Sequence, residues 1–302
     1  MTVFDEIQSS ITRLASDAGS SVVGIGQRWG IGSGIVLSEG RVLTNAHNVR
    51  GNEVTVTFAD GRTAEGTVTG HDVDGDLAVI EVDTGQAPAL AWATDAPGIG
   101  APVFALSNPG GRGLRVTFGT VSGIDRSFRG PRGTRITGSL EHTSPLLPGS
   151  SGGPVLDAAG RLLGINTNRL GEGFYLAIPA DEALRGRVDS LASGQSVEPP
   201  QLGIAIAPGH VARRMRRAVG LPDAEGLLIA KVVDDSPAAR SGLARGDLIV
   251  AAAGQPVKSV DDLHGALRAA AGGTLDLSVL RGTDERSVQV TFGEAGQPEA
   301  DA

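Results

Sequence analysis

The sequence predicts a mainly β protein in two parts: a long unit of short strands forming a sandwich or barrel, then a smaller α+β unit. Three observations lead there. The chain has 302 residues, more than one ordinary domain holds. It carries 45 glycines but only 3% aromatic residues, a mix that implies tight turns and aliphatic packing. From Ser21 to about Pro179 short apolar runs alternate with turn residues, whereas two helical patterns follow Pro200.

Residues 1–20 read as an N-terminal helical segment, with Val3, Phe4, Ile7, Ile11 and Leu14 recurring mostly every three or four positions. The first domain is expected over 21–191. Within it Val54, Val56 and Phe58 alternate with threonines, meet Asp60-Gly61 and continue through Thr63 to Val68, a hairpin with a D-G turn. Val155-Leu156, a turn at Asp157 to Gly160, and Leu162 to Ile165 read as another. Ala180 to Leu191 reads as a closing helix. Residues 192–200 are small and polar and end in two prolines, as domain linkers do. The second domain is expected over 201–293. Val211, Met215 and Val219 mark the expected buried side of one helix, with Arg213, Arg214, Arg216 and Arg217 on its exposed face. Ser259-Val260-Asp261-Asp262 opens the other, with Leu263 and Leu267 one turn apart. Leu275, Leu277 and Val279 with Val288, Val290 and Phe292 make a last hairpin. The tail 294–302 has a disordered composition.

A net charge of −8 argues against non-specific nucleic-acid binding, which needs a basic face. With no cysteine, no disulfide, thiolate nucleophile or Cys-ligated metal is expected. Met1 to Ser21 contains no apolar run of the signal-peptide kind, and no stretch is long enough to span a bilayer. The expected location is therefore the cytoplasm, or the cell envelope if a leader has been removed.

The chemistry-bearing signal is Gly149-Ser150-Ser151-Gly152-Gly153-Pro154. A serine hydroxyl is a poor nucleophile until a base and an oxyanion site surround it, and glycines allow the tight turn and close approach this needs. Alone the run is equally a surface turn. Two other segments supply partners. Thr44-Asn45-Ala46-His47 follows an apolar strand, and Asp76 opens Leu77-Ala78-Val79-Ile80. The order His, Asp, Ser separates trypsin-like folds from subtilisins and α/β-hydrolases. In this reading Ser151 is the nucleophile, His47 the general base and Asp76 the residue orienting the imidazole. The amides of Gly149 and Ser151, with Ser150 between them, form the oxyanion hole. His71, His142, His210 and His264 read as structural, and Asp72 and Asp74 as solvated turn residues. This chemistry calls for no metal and no organic cofactor.

These motifs resemble the HtrA (DegP-like) family of serine proteases, and the likeness covers nearly the whole chain. T-N-A-H-N-V at 44–49, G-D-L-A-V-I at 75–80 and P-G-S-S-G-G-P at 148–154 are similar to its catalytic segments. Ser107-Asn108-Pro109-Gly110, Gly119 to Gly123 and Leu176 to Pro179 resemble further family runs. Ser236-Pro237-Ala238-Ala239, Gly242-Leu243 and Arg245-Gly246-Asp247 resemble its PDZ domain. The resemblance implies a trypsin-like double β-barrel followed by a PDZ domain, acting as an endopeptidase on unfolded or exposed polypeptides. Leu202, Gly203 and Ile204 are similar to a carboxylate-binding loop, so C-terminal peptides are expected to add as a strand there, with Leu263 and Leu267 on the other wall. By analogy Thr167, Asn168 and Arg169 lie along the substrate strand. Arg169 and Tyr175 depart from the family pattern; either both face solvent or they narrow or polarise the pocket. Ser150 replaces the usual asparagine. Arg126 aligns with a regulatory arginine, and Arg126 to Arg135 reads either as a mobile activation loop or as a solvated charge run. Relatives of this type assemble as homotrimers, to which Phe4 is a candidate contributor. A second function class stays open: a PDZ-dependent peptide sensor or chaperone with a latent protease.

Overall fold

A computed structural model describes residues 2–26, 31–130, 135–171, 173–196, 200–270 and 273–292. Two compact units divide at 197/198. The expected tail lies outside the described residues, as do 197–199 of the expected linker and 131–134 of the arginine-rich run.

The first unit opens with α1 (Val3–Asp17), capped by Thr2, whose Oγ1 accepts from Asp5 N–H while Asp5 Oδ2 accepts from Thr2 N–H at 2.7 Å. The helix buries Leu14 but leaves Phe4 82% exposed. Six strands then close the first barrel: β1 (Val22–Ile25), β2 (Gly32–Ser38), β3 (Arg41–Thr44), β4 (Glu53–Thr57), β5 (Thr63–Asp72) and β6 (Leu77–Glu81), in the order β1-β2-β3-β6-β5-β4. The D-G hairpin joins β4 to β5. There Gly61 takes φ 85°, which costs a glycine little, and Asp60 Oδ1 accepts from Arg62 N–H.

The second barrel comprises β7 (Pro102–Ser107), β8 (Arg115–Arg129), β9 (Arg135–His142), β10 (Pro154–Leu156), β11 (Leu162–Gly171) and β12 (Phe174–Pro179). It closes in the order β10-β11-β12-β9-β8-β7. A shared core of Leu43, Leu77, Leu106, Leu156 and Ile165 joins the barrels, and α2 (Glu182–Ala192), capped by Asp181, seals it with Leu184, Val188 and Leu191. Burying aliphatic side chains at about 1.5–3 kcal/mol each supplies the cohesion that a disulfide-free chain needs.

The second unit contains β13 (Ile204–Ile206), α3 (Gly209–Ala218), β14 (Leu227–Val232), the one-turn α4 (Pro237–Arg240), β15 (Leu248–Ala252) and β16 (Gln255–Pro256). It ends with α5 (Val260–Ala270), β17 (Thr274–Arg281) and β18 (Asp284–Thr291). The sheet order is β13-β14-β15-β17-β18, with β16 beside β15. Asp247, 1% exposed, is clasped by Arg281 at 2.7 Å, which also ties down Gly242 O.

Two expectations are corrected here. The faces of α3 are corrected in part: Arg213, Arg214 and Arg217 are exposed as expected, but Arg216 is 3% exposed, whereas Met215 and Val219 are 40% and 72% exposed. Arg216 buries because Nε and Nη2 both donate to Pro222 O in the following turn. Asp72 is not a solvated turn residue: it is buried, accepts from Gly75 N–H and faces Arg187 at 3.7 Å.

Candidate active site

His47 lies in a single helical turn after β3, and Asp76 in the turn before β6. Register pairing of β3 with β6 (Thr44 with Ala78) brings those two turns together. Asp76 holds φ 56°, an uncommon angle for a non-glycine, which aims its carboxylate back at the histidine. His47 Nδ1 lies 2.9 Å from both Asp76 oxygens, and His47 N–H donates to Oδ1 at 3.2 Å. Thr167 Oγ1 donates to Asp76 Oδ2 at 2.6 Å, and Asn45 Nδ2 donates to Asp76 O. Asp76 is 1% exposed while the His47 side chain is 32% exposed, so the buried acid is fully hydrogen-bonded and the base stays reachable.

Ser151 sits in the turn between β9 and β10. Its Oγ donates to Thr167 O at 3.1 Å, and among the described residues it makes no hydrogen bond to His47. Catalytic contacts are often loose before substrate arrives; a side-chain rotation is what separates this arrangement from a Ser–His bond.

The turn itself is bolted to the first barrel. Ser33 N–H and Asn48 Nδ2 both donate to Ser151 O, at 2.8 and 2.9 Å. Ser33 Oγ donates to Gly149 O and accepts from Asn108 N–H. Thr44 Oγ1 donates to Ser33 O at 2.6 Å and accepts from Asn48 Nδ2. Gly152 has φ 86°, and a Cβ there would lie 2.0 Å from Ser33 O, so only glycine fits. Ser150 O accepts from Gly153 N–H, which turns the Ser151 N–H the opposite way across the planar peptide. The N–H groups of Gly149 and Ser151 have no acceptor among the described residues, whereas Ser150 N–H is spent on Leu147 O. Of the three residues assigned to the oxyanion hole, Ser150 therefore has no amide to offer. Its side chain instead donates to Ser107 Oγ at 3.2 Å, so Ser150 contacts the serine that opens the Ser107-Asn108-Pro109-Gly110 run.

The four residues assigned to substrate binding line one cavity but differ in what their side chains do. Thr167 is 7% exposed and its polar groups serve Asp76 and Ser151. Asn168 Oδ1 accepts from Arg169 N–H, and Arg169 Nε donates to Gly171 O, so Arg169 folds back on its own hairpin. Its guanidinium lies 5.9 Å from the Tyr175 ring centroid. Tyr175 is 7% exposed and stacks on His142. Leu146 to Ser151, Asn166 to Arg169 and Tyr175 line one cavity of about 250 Å³. His142 is fully buried, with Nε2 on Asn166 Oδ1 at 2.9 Å and Nδ1 without a partner among the described residues. Burial pushes it down to about 4 against the opposing Asn166 hydrogen bond, so it is neutral at pH 7.

Arg126 lies within strand β8 and pairs with Glu141 on β9 at 3.3 Å. Residues 126–129 and 135 are therefore strand rather than loop. In the second unit Leu202, Leu263 and Leu267 are buried in one apolar cluster against which Ile204 packs. Gly203 takes φ 76°, where a Cβ would meet Ser236 at 2.3 Å. The carbonyls of Leu202 and Gly203 are taken by Ala238 N–H and Val233 N–H.

Ser33 stands in no sequence motif, and the motifs containing Thr44, Asn45, Asn48 and Ser107 assign those four residues no role. The available signal was polar residues interrupting apolar strands, as Ser33 does in Gly32 to Ser38.

Comparison with known proteins gives the same two parts. Residues 32–165 match the trypsin-like peptidase domain family, and 228–281 match the PDZ domain family. A probable periplasmic DegP-like serine endoprotease of Halomonas elongata is 35% identical over 89% of this chain, which spans 57% of that relative's length. The putative serine protease HhoA of Synechocystis is also 35% identical, over 89% of this chain and 72% of its own. The solved HtrA-type protease AlgW with a decapeptide superposes with a TM-score of 0.66 at 26% identity, covering 95% of this chain and 99% of that one. The cytoplasmic expectation is corrected: the Halomonas relative is named periplasmic, which points to the cell envelope. Among the described residues no helix is long and apolar enough to cross a membrane.

Proposed function

This chain belongs to the HtrA (DegP-like) family of serine proteases, and from that membership we propose that it is an endopeptidase hydrolysing exposed or unfolded polypeptide through an acyl-enzyme. The observation that carries the proposal is the His47–Asp76 pair beside a glycine turn whose Gly149 and Ser151 amides lack internal acceptors. In the forward step Ser151 Oγ attacks the scissile carbonyl while His47 takes its proton. Asp76, held by Thr167, keeps Nδ1 protonated and stabilises the imidazolium. The oxyanion forms against the two free amides. His47 then protonates the leaving amine, and water repeats the sequence on the acyl-enzyme.

The second unit acts as the peptide-binding partner of this site: its open-edged strand β13 and the Leu202–Ile204 loop support strand addition of a peptide C-terminus. Phe4, exposed on α1, is proposed to contribute to a homotrimer. Arg126 is proposed to influence the site from β8, through Glu141 next to His142. One observation favours the latent-protease reading as the resting state: Ser151 Oγ is turned to Thr167 O instead of His47.

The test is incubation of the purified chain with a fluorophosphonate probe, followed by mapping of the adduct. We expect label on Ser151 alone, casein degradation that disappears in Ser151→Ala, and faster labelling with an added PDZ-binding peptide. Casein degradation that survives Ser151→Ala in a preparation free of other proteases overturns the proposal.

A further inference from the structure

The second unit holds a cation that its own fold leaves short of a partner. Arg216 is 3% exposed, and Nε and Nη2 share Pro222 O, while Nη1 is buried with no acceptor among the described residues. Arginine does not shed its charge on burial, so this donor remains cationic and unfilled. Arg216 lines a cavity of about 660 Å³ together with Arg213, Lys258, Asp223 and Glu225. The two acids are already engaged: Asp223 with Arg217 at 2.6 Å and Glu225 with Lys258 at 2.9 Å. Asp223 also attracts Arg213 and Arg216, and Asp262 lies near Lys258, but no carboxylate among the described residues is hydrogen-bonded to Arg213 or Arg216.

The position of this cavity gives that shortage a meaning. Strand β13 ends the sheet and has an open edge. A peptide whose carboxylate is held at Leu202–Ile204, the start of β13, must run antiparallel to it. Its upstream residues then pass Ile206 and arrive at Pro208 and Gly209, which with Val260 at the start of α5 line the same cavity. At about 3.3 Å per residue, three-residue β13 accounts for the last three or so peptide positions. Those roughly four to six from the C-terminus reach the arginines.

We propose that this cavity is a carboxylate subsite, selecting peptides that carry Asp or Glu upstream of their C-terminal anchor. The acidic side chain is met by Arg213 at the rim, and Arg216 supplies the second positive charge from behind, its enclosed Nη1 joining the carboxylate when the guanidinium turns towards the cavity. The inference rests on the peptide-binding reading of the second unit and adds to it a side-chain preference. Charge-assisted hydrogen bonds to guanidinium are the stronger kind, and they weaken with salt where the cavity is open.

The test uses the full chain carrying Ser151→Ala, so that bound peptide is not cleaved. Fluorescent decapeptides with a set of apolar C-terminal triplets are made in three versions, with Asp, Ser or Lys at positions four to six from the end. Fluorescence anisotropy reads the Kd. We expect the Asp version to bind about tenfold tighter than the Lys version at low ionic strength. That preference falls towards unity in Arg216→Gln and by about threefold in Arg213→Gln, the second variant serving because Arg216 is buried. Equal binding of the three versions, or a preference untouched by both variants, overturns the subsite while leaving peptide capture intact. Binding by no version overturns peptide capture itself, and the subsite with it.

Discussion

His47 and His142 both belong to the neighbourhood of Ser151, and their surroundings prepare them for opposite behaviour. His47 reaches Ser151 through Asp76 and Thr167; His142 reaches the same turn through Asn166, whose carbonyl accepts from Gly152 N–H. A carboxylate faces His47 Nδ1, and a third of the ring side chain is open to incoming substrate. An amide oxygen faces His142 Nε2, its Nδ1 has no partner among the described residues, and none of its surface is exposed. The first environment fixes the ring's orientation and leaves it within reach of substrate, and the second penalises a proton on the ring. The difference teaches that proton chemistry follows the partner and the solvent, since the residue type is the same.

The largest expected effect comes from removing the reactive side of the comparison. Asp76→Asn keeps the shape but favours the wrong imidazole tautomer, and kcat should fall by about 10⁴-fold. Steady-state hydrolysis of a quenched fluorescent peptide measures it, and a loss below tenfold breaks the contrast between the two histidines.

A smaller effect tests the turn that both neighbourhoods share. Ser33→Ala removes the hydroxyl between Asn108 N–H and Gly149 O, leaving a buried donor unsatisfied at a cost of about 1–3 kcal/mol. The oxyanion turn loses one of its bolts, so kcat should drop about tenfold to a hundredfold while KM changes little. A change confined to KM would mean that Ser33 shapes binding rather than the oxyanion turn.

The smallest effect on activity is expected from His142, whose influence is on stability alone. His142 binds its proton near 4 when folded and near 6.5 when unfolded, so between those values the unfolded chain holds more protons. Stability is then full above about 6.5 and is lost as pH falls towards 4, by on the order of 3 kcal/mol in total. Urea midpoints from pH 4 to 7 should slope more steeply in the natural chain than in His142→Gln. Equal slopes would show that His142 is not held neutral.

Much of this arrangement was legible in the sequence, and the exceptions share a cause. The D-G hairpin, the hairpin at Val155–Ile165 and helix α5 could be read because their signals lie within a few residues of one another. His47, Asp76 and Ser151 stand out as candidates because their flanking runs are distinctive, and the structure pairs the first two. The supports of the Ser151 turn could not: Ser33 meets Gly149 116 positions away, and Asn48 meets Ser151 103 positions away. Nothing local to Ser33 predicts that pairing. The burial of Arg216 on α3 has the same origin. Periodicity puts arginines outside, but a carbonyl at Pro222 offers Arg216 a buried acceptor that the helix pattern alone does not contain. Asp72 was misjudged because Arg187, its counter-charge, comes from α2.

The contrast between the two histidines is tested most directly by the rate at which fluorophosphonate labels Ser151 at pH 7 in the natural chain, His47→Ala and His142→Gln. The account predicts equal rates, within about twofold, for the natural chain and His142→Gln, and a rate lower by at least about 10³-fold for His47→Ala. Labelling that persists in a folded His47→Ala, or that collapses equally in His142→Gln, would contradict it.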